Sequence, residues 1–80
     1  MSEQEFIHSF PKNEEEEVRL SIREYKGRHY LDLRIWYLAK EGEYHPTKKG
    51  VTLGLEFLPE VVRGLEKVAE REGISVEGGR

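Results

Sequence analysis

The stretch VRLSIREYKGRHYLDLRIWYLAKEGEYHPTKKGVTL, Val18 to Leu53, decides how this chain folds. Val18, Leu20 and Ile22 alternate with Arg19, Ser21, Arg23 and Tyr25. Further on, Leu31, Leu33 and Ile35 alternate with Tyr30, Asp32, Arg34 and Trp36. A period of two sends the two sets to opposite faces of a β-sheet. One face can close a core, and the other is a basic, aromatic surface turned to water. The pattern predicts strands over 18–25, 28–38 and 44–53. Lys26-Gly27 reads as a tight hairpin because Gly takes positive φ without a steric cost. Ala39 to Glu43, with Gly42, is the next turn. Pro46 and Gly50 interrupt the third segment and predict a bend or bulge near Thr47 to Lys49.

Toward the N-terminus, Met1 to Glu5 is polar and reads as a frayed end. Phe6, Ile7 and Phe10 form a short apolar patch closed by Pro11 and Asn13, which fits a short edge strand. Glu14 to Glu17 is an acidic run, read as a solvated loop. Toward the C-terminus, Gly54 breaks the alternation and the period becomes 3.6. Leu58, Val61, Val62, Leu65, Val68 and Ala69 then form the apolar stripe of a helix. Pro59 is tolerated only in a first turn, which starts the regular helix near Leu58. Gly64 costs about 1 kcal/mol relative to Ala inside a helix and leaves room for close packing. Gly73 is a natural stop. The expected architecture is α+β: a four-stranded antiparallel sheet followed by one C-terminal helix lying on one of its faces. Residues 1–17 form an N-terminal segment with the edge strand and the acidic run, 18–73 the main domain, and 74–80 a tail.

Eighty residues make one domain at most. A chain of this size buries only roughly 60% of the surface its unfolded form exposes. With no cysteine, neither disulfides nor cysteine-ligated zinc can supplement the core, so oligomerisation is the expected source of further burial. No apolar run suits a membrane span or a secretory signal, and the chain reads as soluble and intracellular. The net charge of −3 hides a segregation. Residues 1–17 carry one Lys against six Glu, 18–50 eight Lys or Arg against four acids, and 51–80 four against six. A basic sheet between acidic ends fits an anionic partner better than the net charge does.

Nothing in the chain fits a catalytic constellation. It has no Cys nucleophile, no GxSxG and no glycine-rich phosphate loop. His8, His29 and His45 lack metal-ligand spacing, and no metal or other cofactor is expected. Asp32, set among basic residues, reads as an ion-pair partner of Arg34 or Arg23. Binders of single-stranded nucleic acid combine cations for phosphates with aromatic faces for bases. Tyr25, Trp36 and Tyr37 are candidate platforms, and Arg23, Lys26, Arg28, Arg34, Lys48 and Lys49 are candidate phosphate contacts. Either Trp36 or Tyr37 could instead belong to the core, since both are good strand formers. On this reading the acidic run Glu14 to Glu17 could compete with nucleic acid for the basic face. Two other readings stay open: RNA rather than DNA as ligand, and a protein-interaction module that meets an acidic partner.

The blocks VRLSIREYKGR (Val18 to Arg28), LDLR (Leu31 to Arg34) and EGEYHPTKKGVTL (Glu41 to Leu53) resemble the single-stranded DNA-binding domain of the transcriptional positive cofactor four family. The resemblance covers roughly residues 6 to 72, including the amphipathic helix. It implies a curved four-stranded antiparallel sheet followed by a helix, assembled as a homodimer through Leu58, Val61, Val62, Leu65 and Val68. It implies binding of single-stranded DNA with little sequence preference, with transcription machinery as a further partner, and no membrane partner. Carried over by position, the nucleic-acid contacts fall on Arg23, Tyr25, Lys26, Gly27, Arg28, Arg34, Tyr37 with Trp36 beside it, Lys48 and Lys49. A further basic position of the family corresponds here to His45. The Ser- and Lys-rich regulatory region of eukaryotic members has no counterpart, which points to the compact bacterial or phage type. The expected location is the cytoplasm or nucleoid for such a member, and the nucleus for a eukaryotic one.

Overall fold

The computed structural model describes residues 3–76. Four strands run in the order β1 (Glu3–Pro11), β2 (Glu16–Tyr25), β3 (Arg28–Leu38) and β4 (Tyr44–Gly54), each antiparallel to the next. A 3₁₀ turn (Leu55–Phe57) leads into α1 (Leu58–Glu72). The order and type of the elements agree with the sequence pattern, and the 3₁₀ turn is an addition to it; the solvated-loop reading of the acidic run is corrected at Glu16 and Glu17, which pair with Tyr37 and Trp36 as half-buried residues of β2. The β2–β3 connection is the two-residue hairpin expected: Lys26 and Gly27 have φ of 54° and 79°, the left-handed pair of a type I′ turn. Pro59 sits within the first turn of α1, and Gly73 closes the helix with φ 71°, its N–H directed at the carbonyls of Ala69 and Glu70.

β1 is longer than its sequence suggests. Its polar ends pair with β2 from Glu3↔Glu24 to Pro11↔Glu17, and a register shift between Phe6 and His8 makes Ile7 the bulged residue. Backbone pairing to a firm neighbour thus recruits residues that have little strand propensity of their own. In β4 the expected bulge is present. Arg34 pairs with Gly50 and Trp36 with Pro46, so Thr47, Lys48 and Lys49 stand opposite Ile35 alone. Thr47 holds this loop of strand: its Oγ1 donates to the Ile35 carbonyl at 2.8 Å and accepts the Lys49 N–H at 3.1 Å.

Gly50 is required at its place in that register. A Cβ there would lie 2.6 Å from the Leu33 carbonyl oxygen and 2.9 Å from Arg34 Cα, both backbone atoms that cannot step aside. Gly50→Ala is expected to cost about 1–3 kcal/mol through forced displacement of β3 from β4. Equilibrium urea unfolding measures it, and a midpoint equal to that of the unmodified chain would refute the argument. No such role falls to Gly64, where an added Cβ meets nothing within 4 Å among the described residues.

Two expectations about packing are corrected. The helix does not lie on the sheet: its main association is with the 3₁₀ turn, and Leu58, Val62, Leu65 and Val68 are all exposed, leaving Val61 half-buried. The apolar sheet face is likewise uncovered, with Leu33 40% and Val51 47% exposed. The side chains that are buried among the described residues are Ser21, Asp32 and Ala69, and the first two belong to the polar face. The cause is side-chain length. Long side chains reach across the short ones on the polar face, Arg34 onto Asp32 and Gln4 onto Ser21, whereas nothing among the described residues covers the aliphatic face.

Candidate nucleic-acid interface

The register places Glu17, Arg19, Ser21, Arg23 and Tyr25 of β2 beside Trp36, Arg34, Asp32, Tyr30 and Arg28 of β3, respectively. Gly50 and Thr52 of β4 and Gln4 and Phe6 of β1 extend the same face outward. Three zones follow along it.

The hairpin end carries Arg23, Tyr25, Lys26, Gly27 and Arg28. Tyr25 is 51% exposed, and the Lys26 ammonium lies 5.3 Å from its ring centroid. Arg23, Tyr25, Tyr30 and Thr52 line a cleft of about 250 Å³. Arg23 makes no ion pair among the described residues. Cations and an open aromatic face therefore meet at this end.

The centre is a closed polar network. Arg34 Nε and Nη2 donate to the two carboxylate oxygens of Asp32 at 3.2 and 2.9 Å. Nη2 also donates to Thr52 Oγ1 at 3.2 Å, and Nη1 to the Thr47 carbonyl at 2.9 Å. Thr52 Oγ1 donates in turn to Asp32 Oδ1 at 2.6 Å. Burial pushes the Asp32 carboxyl up, but the hydrogen bonds from Arg34 and Thr52 and the nearby Arg34 and Arg23 charges outweigh it and hold the group below the usual carboxylate range. Four of the five N–H groups of Arg34 are committed inside the protein. Beside this network Gln4 Nε2 donates to the buried Ser21 hydroxyl at 3.0 Å.

Next to it lies an aromatic cluster. Arg19 is set over Trp36, Phe6 and Tyr44, its guanidinium carbon 4.4, 5.1 and 5.3 Å from their ring centroids. Phe6 meets Trp36 edge to face at 5.4 Å. Trp36 is thus half-buried under Arg19 rather than laid open. Tyr37 is on the other face, 43% exposed, with the His45 ring at 5.8 Å. Lys48 and Lys49 are exposed in the β4 bulge, and Lys49 lies close enough to Glu16 to help lower its pKa, behind the hydrogen bonds from Asn13 and Lys12. His45 sits 2.6 Å from Glu41, whose carboxyl is held below its usual range mainly by that contact. Glu41, Glu43 and His45 have ligating atoms within 4.8 Å of one another, a grouping that the histidine spacing alone does not reveal.

The sequence-derived residues are therefore not all brought together. The hairpin group and the bulge pair stand at opposite ends of β3, about seven residues or roughly 23 Å apart. Arg23, Tyr25, Arg28, Arg34 and Trp36 share one face, and Tyr37 the other. The sequence reading missed Tyr30 and Thr52 as walls of the cleft, and Phe6 and Tyr44 as partners of Arg19. Their common signal is a position on the arginine face in the strand register, which is invisible before the pairing is known.

The family described as Transcriptional Coactivator p15 (PC4) matches residues 12–63. Among solved structures, the chain is similar to BPSL1147, a PC4 homolog from Burkholderia pseudomallei K96243. In its tetragonal crystal form the identity is 30% and the TM-score 0.78, over 84% of this chain and 98% of that one. In the orthorhombic form they are 31% and 0.76, over 81% and 88%. It is also similar to the bacteriophage T5 homolog of the eukaryotic transcription coactivator PC4, implicated in recombination-dependent DNA replication. Here the identity is 26% and the TM-score 0.73, over 88% of this chain and 81% of that one.

Proposed function

The chain belongs to the transcriptional coactivator p15 (PC4) family, and from that premise we propose that it is a sequence-tolerant single-stranded DNA-binding protein acting as a homodimer. The observation that carries the reading is the hairpin end of the arginine face, where the open Tyr25 ring and the cleft with Tyr30 adjoin Arg23, Lys26 and Arg28. Bases stack on exposed aromatics whatever their identity, and the cations take phosphates, so binding is tolerant of sequence. Arg34 acts chiefly from within, as the brace that holds Asp32, Thr52 and the bulge in register. Lys48 and Lys49 extend the phosphate track at the far end of the face. The relatives named above support a DNA-binding role in transcription or in recombination-dependent replication. The uncovered aliphatic sheet face and helix stripe support assembly with a second copy, because a chain this small cannot leave both in water without a large loss of stability.

The test is fluorescence anisotropy with a labelled oligo-dT of about 20 nucleotides, set against a duplex of equal length at two salt concentrations. Tighter, salt-sensitive binding of the single strand supports the reading. Absence of binding at low salt sinks it. Within the same assay, Lys48→Glu with Lys49→Glu is expected to weaken binding equally for all sequences and to lower the salt slope by about two. Tyr25→Ala is expected to cost about 1–3 kcal/mol. An acidic peptide site would tolerate that change, and an RNA site would show a preference for a strand bearing 2′-hydroxyls.

A further inference from the structure

The site described above leaves Arg19 without a task. Its Nε donates to Glu17, the last residue of the acidic run. Its guanidinium is seated on Trp36 and flanked by Phe6 and Tyr44. Its side chain is 22% exposed. Its two terminal nitrogens make no hydrogen bond among the described residues. The indole Nε1 of Trp36 is buried, also without a partner among them. The cluster thus holds unused N–H donors, while its carboxylate is spent on Arg19 Nε.

The surroundings sharpen what this guanidinium can do. A planar cation packed on aromatic rings is held in one orientation and is poorly hydrated, which strengthens its attraction for an anion. A carboxylate and a phosphate offer an arginine the same pair of oxygens. Arg19 stands opposite Arg34 across β2 and β3, and Arg34 stands opposite Gly50 beside the β4 bulge. Arg19 therefore stands on the same face as the hairpin cations, at the level of the β4 bulge, with Arg34 between it and β4.

We propose that Arg19 is a nucleic-acid contact whose terminal nitrogens take a phosphate oxygen of the bound strand, and that Glu17 is an internal competitor for it that the phosphate displaces. This rests on the single-strand reading. It gives Trp36 a role from beneath, as the platform of the arginine rather than of a base.

The test is a salt series of oligo-dT titrations on the unmodified chain, Glu17→Gln, Arg19→Gln and the double variant. Glu17→Gln is expected to tighten binding about five-fold and to steepen the salt slope by up to about one, because no carboxylate must be released. Arg19→Gln is expected to weaken binding about ten-fold and to flatten the slope by about one. In the double variant the gain from Glu17→Gln disappears. A gain in affinity cannot arise from a damaged fold, so Glu17→Gln decides even if Arg19→Gln is unstable. Binding by the unmodified chain with no tightening in Glu17→Gln overturns this inference alone, as does a gain that persists in the double variant. No binding by the unmodified chain overturns both this inference and the single-strand reading.

Discussion

Asp32→Ala is expected to lower the stability of the folded chain by about 3–5 kcal/mol, the range for breaking a buried ion pair from one side. The carboxylate is 1% exposed and accepts from Arg34 twice and from Thr52 once. Its removal strands a largely covered guanidinium and frees Thr52, and with them the brace between β3 and β4. Small domains are stable by only about 5–15 kcal/mol, so a loss of this size is a large fraction of the whole. Chemical unfolding followed by circular dichroism gives the value, and a loss under about 1 kcal/mol would show that the network is ornamental. The pH dependence follows from the same group. Its pKa is lower in the folded than in the unfolded chain. Its contribution is therefore fully present above the ordinary Asp value of about 3.9 and is lost as pH falls through the lowered folded value. Asp32→Asn should remove that acid limb from the stability profile. An unchanged acid limb in that variant would assign the limb to other carboxylates.

Leu65→Asp is expected to turn a dimer into a monomer. Leu65 is 62% exposed in the single chain, at the middle of a stripe with Leu58, Val62 and Val68. If a second copy covers that stripe, a carboxylate at its centre loses its hydration with no partner to compensate. The dissociation constant should rise by roughly a thousand-fold or more, equivalent to about 4 kcal/mol. Sedimentation velocity near 10 μM (an order-of-magnitude choice suited to a tight dimer) separates the states. The unmodified chain should sediment near twice its 9.4 kDa mass and the variant near that mass. A monomeric unmodified chain, or a variant that stays dimeric, removes the helix stripe from the interface. DNA affinity should fall with the dimer, because a strand held by two copies gains from their linkage.

The sequence by itself determined the four strands, their antiparallel order, the hairpin at Lys26-Gly27, the bulge at Thr47 to Lys49, and the helix from Leu58 to Gly73. These are local matters. A period of two or 3.6, a positive-φ position and a Pro in a first turn each act within a few residues, and here they agree. The same alternation correctly divided Arg34 and Trp36 from the aliphatic residues. Only the tertiary structure decided what those residues do once they share a face. Alternation names the side of the sheet, but not which cross-strand neighbours compete for a given donor or ring. So Arg34, legible as a cation, is consumed by Asp32, Thr52 and the Thr47 carbonyl, and Trp36, legible as an aromatic, is capped by Arg19 from the neighbouring strand. β1 likewise took its length from its partner rather than from its own residues. The helix stripe could be read from spacing, yet spacing carries no information about its distance from the sheet. The 3₁₀ turn joins α1 to β4, and among the described residues the helix stripe and the aliphatic sheet face stay uncovered.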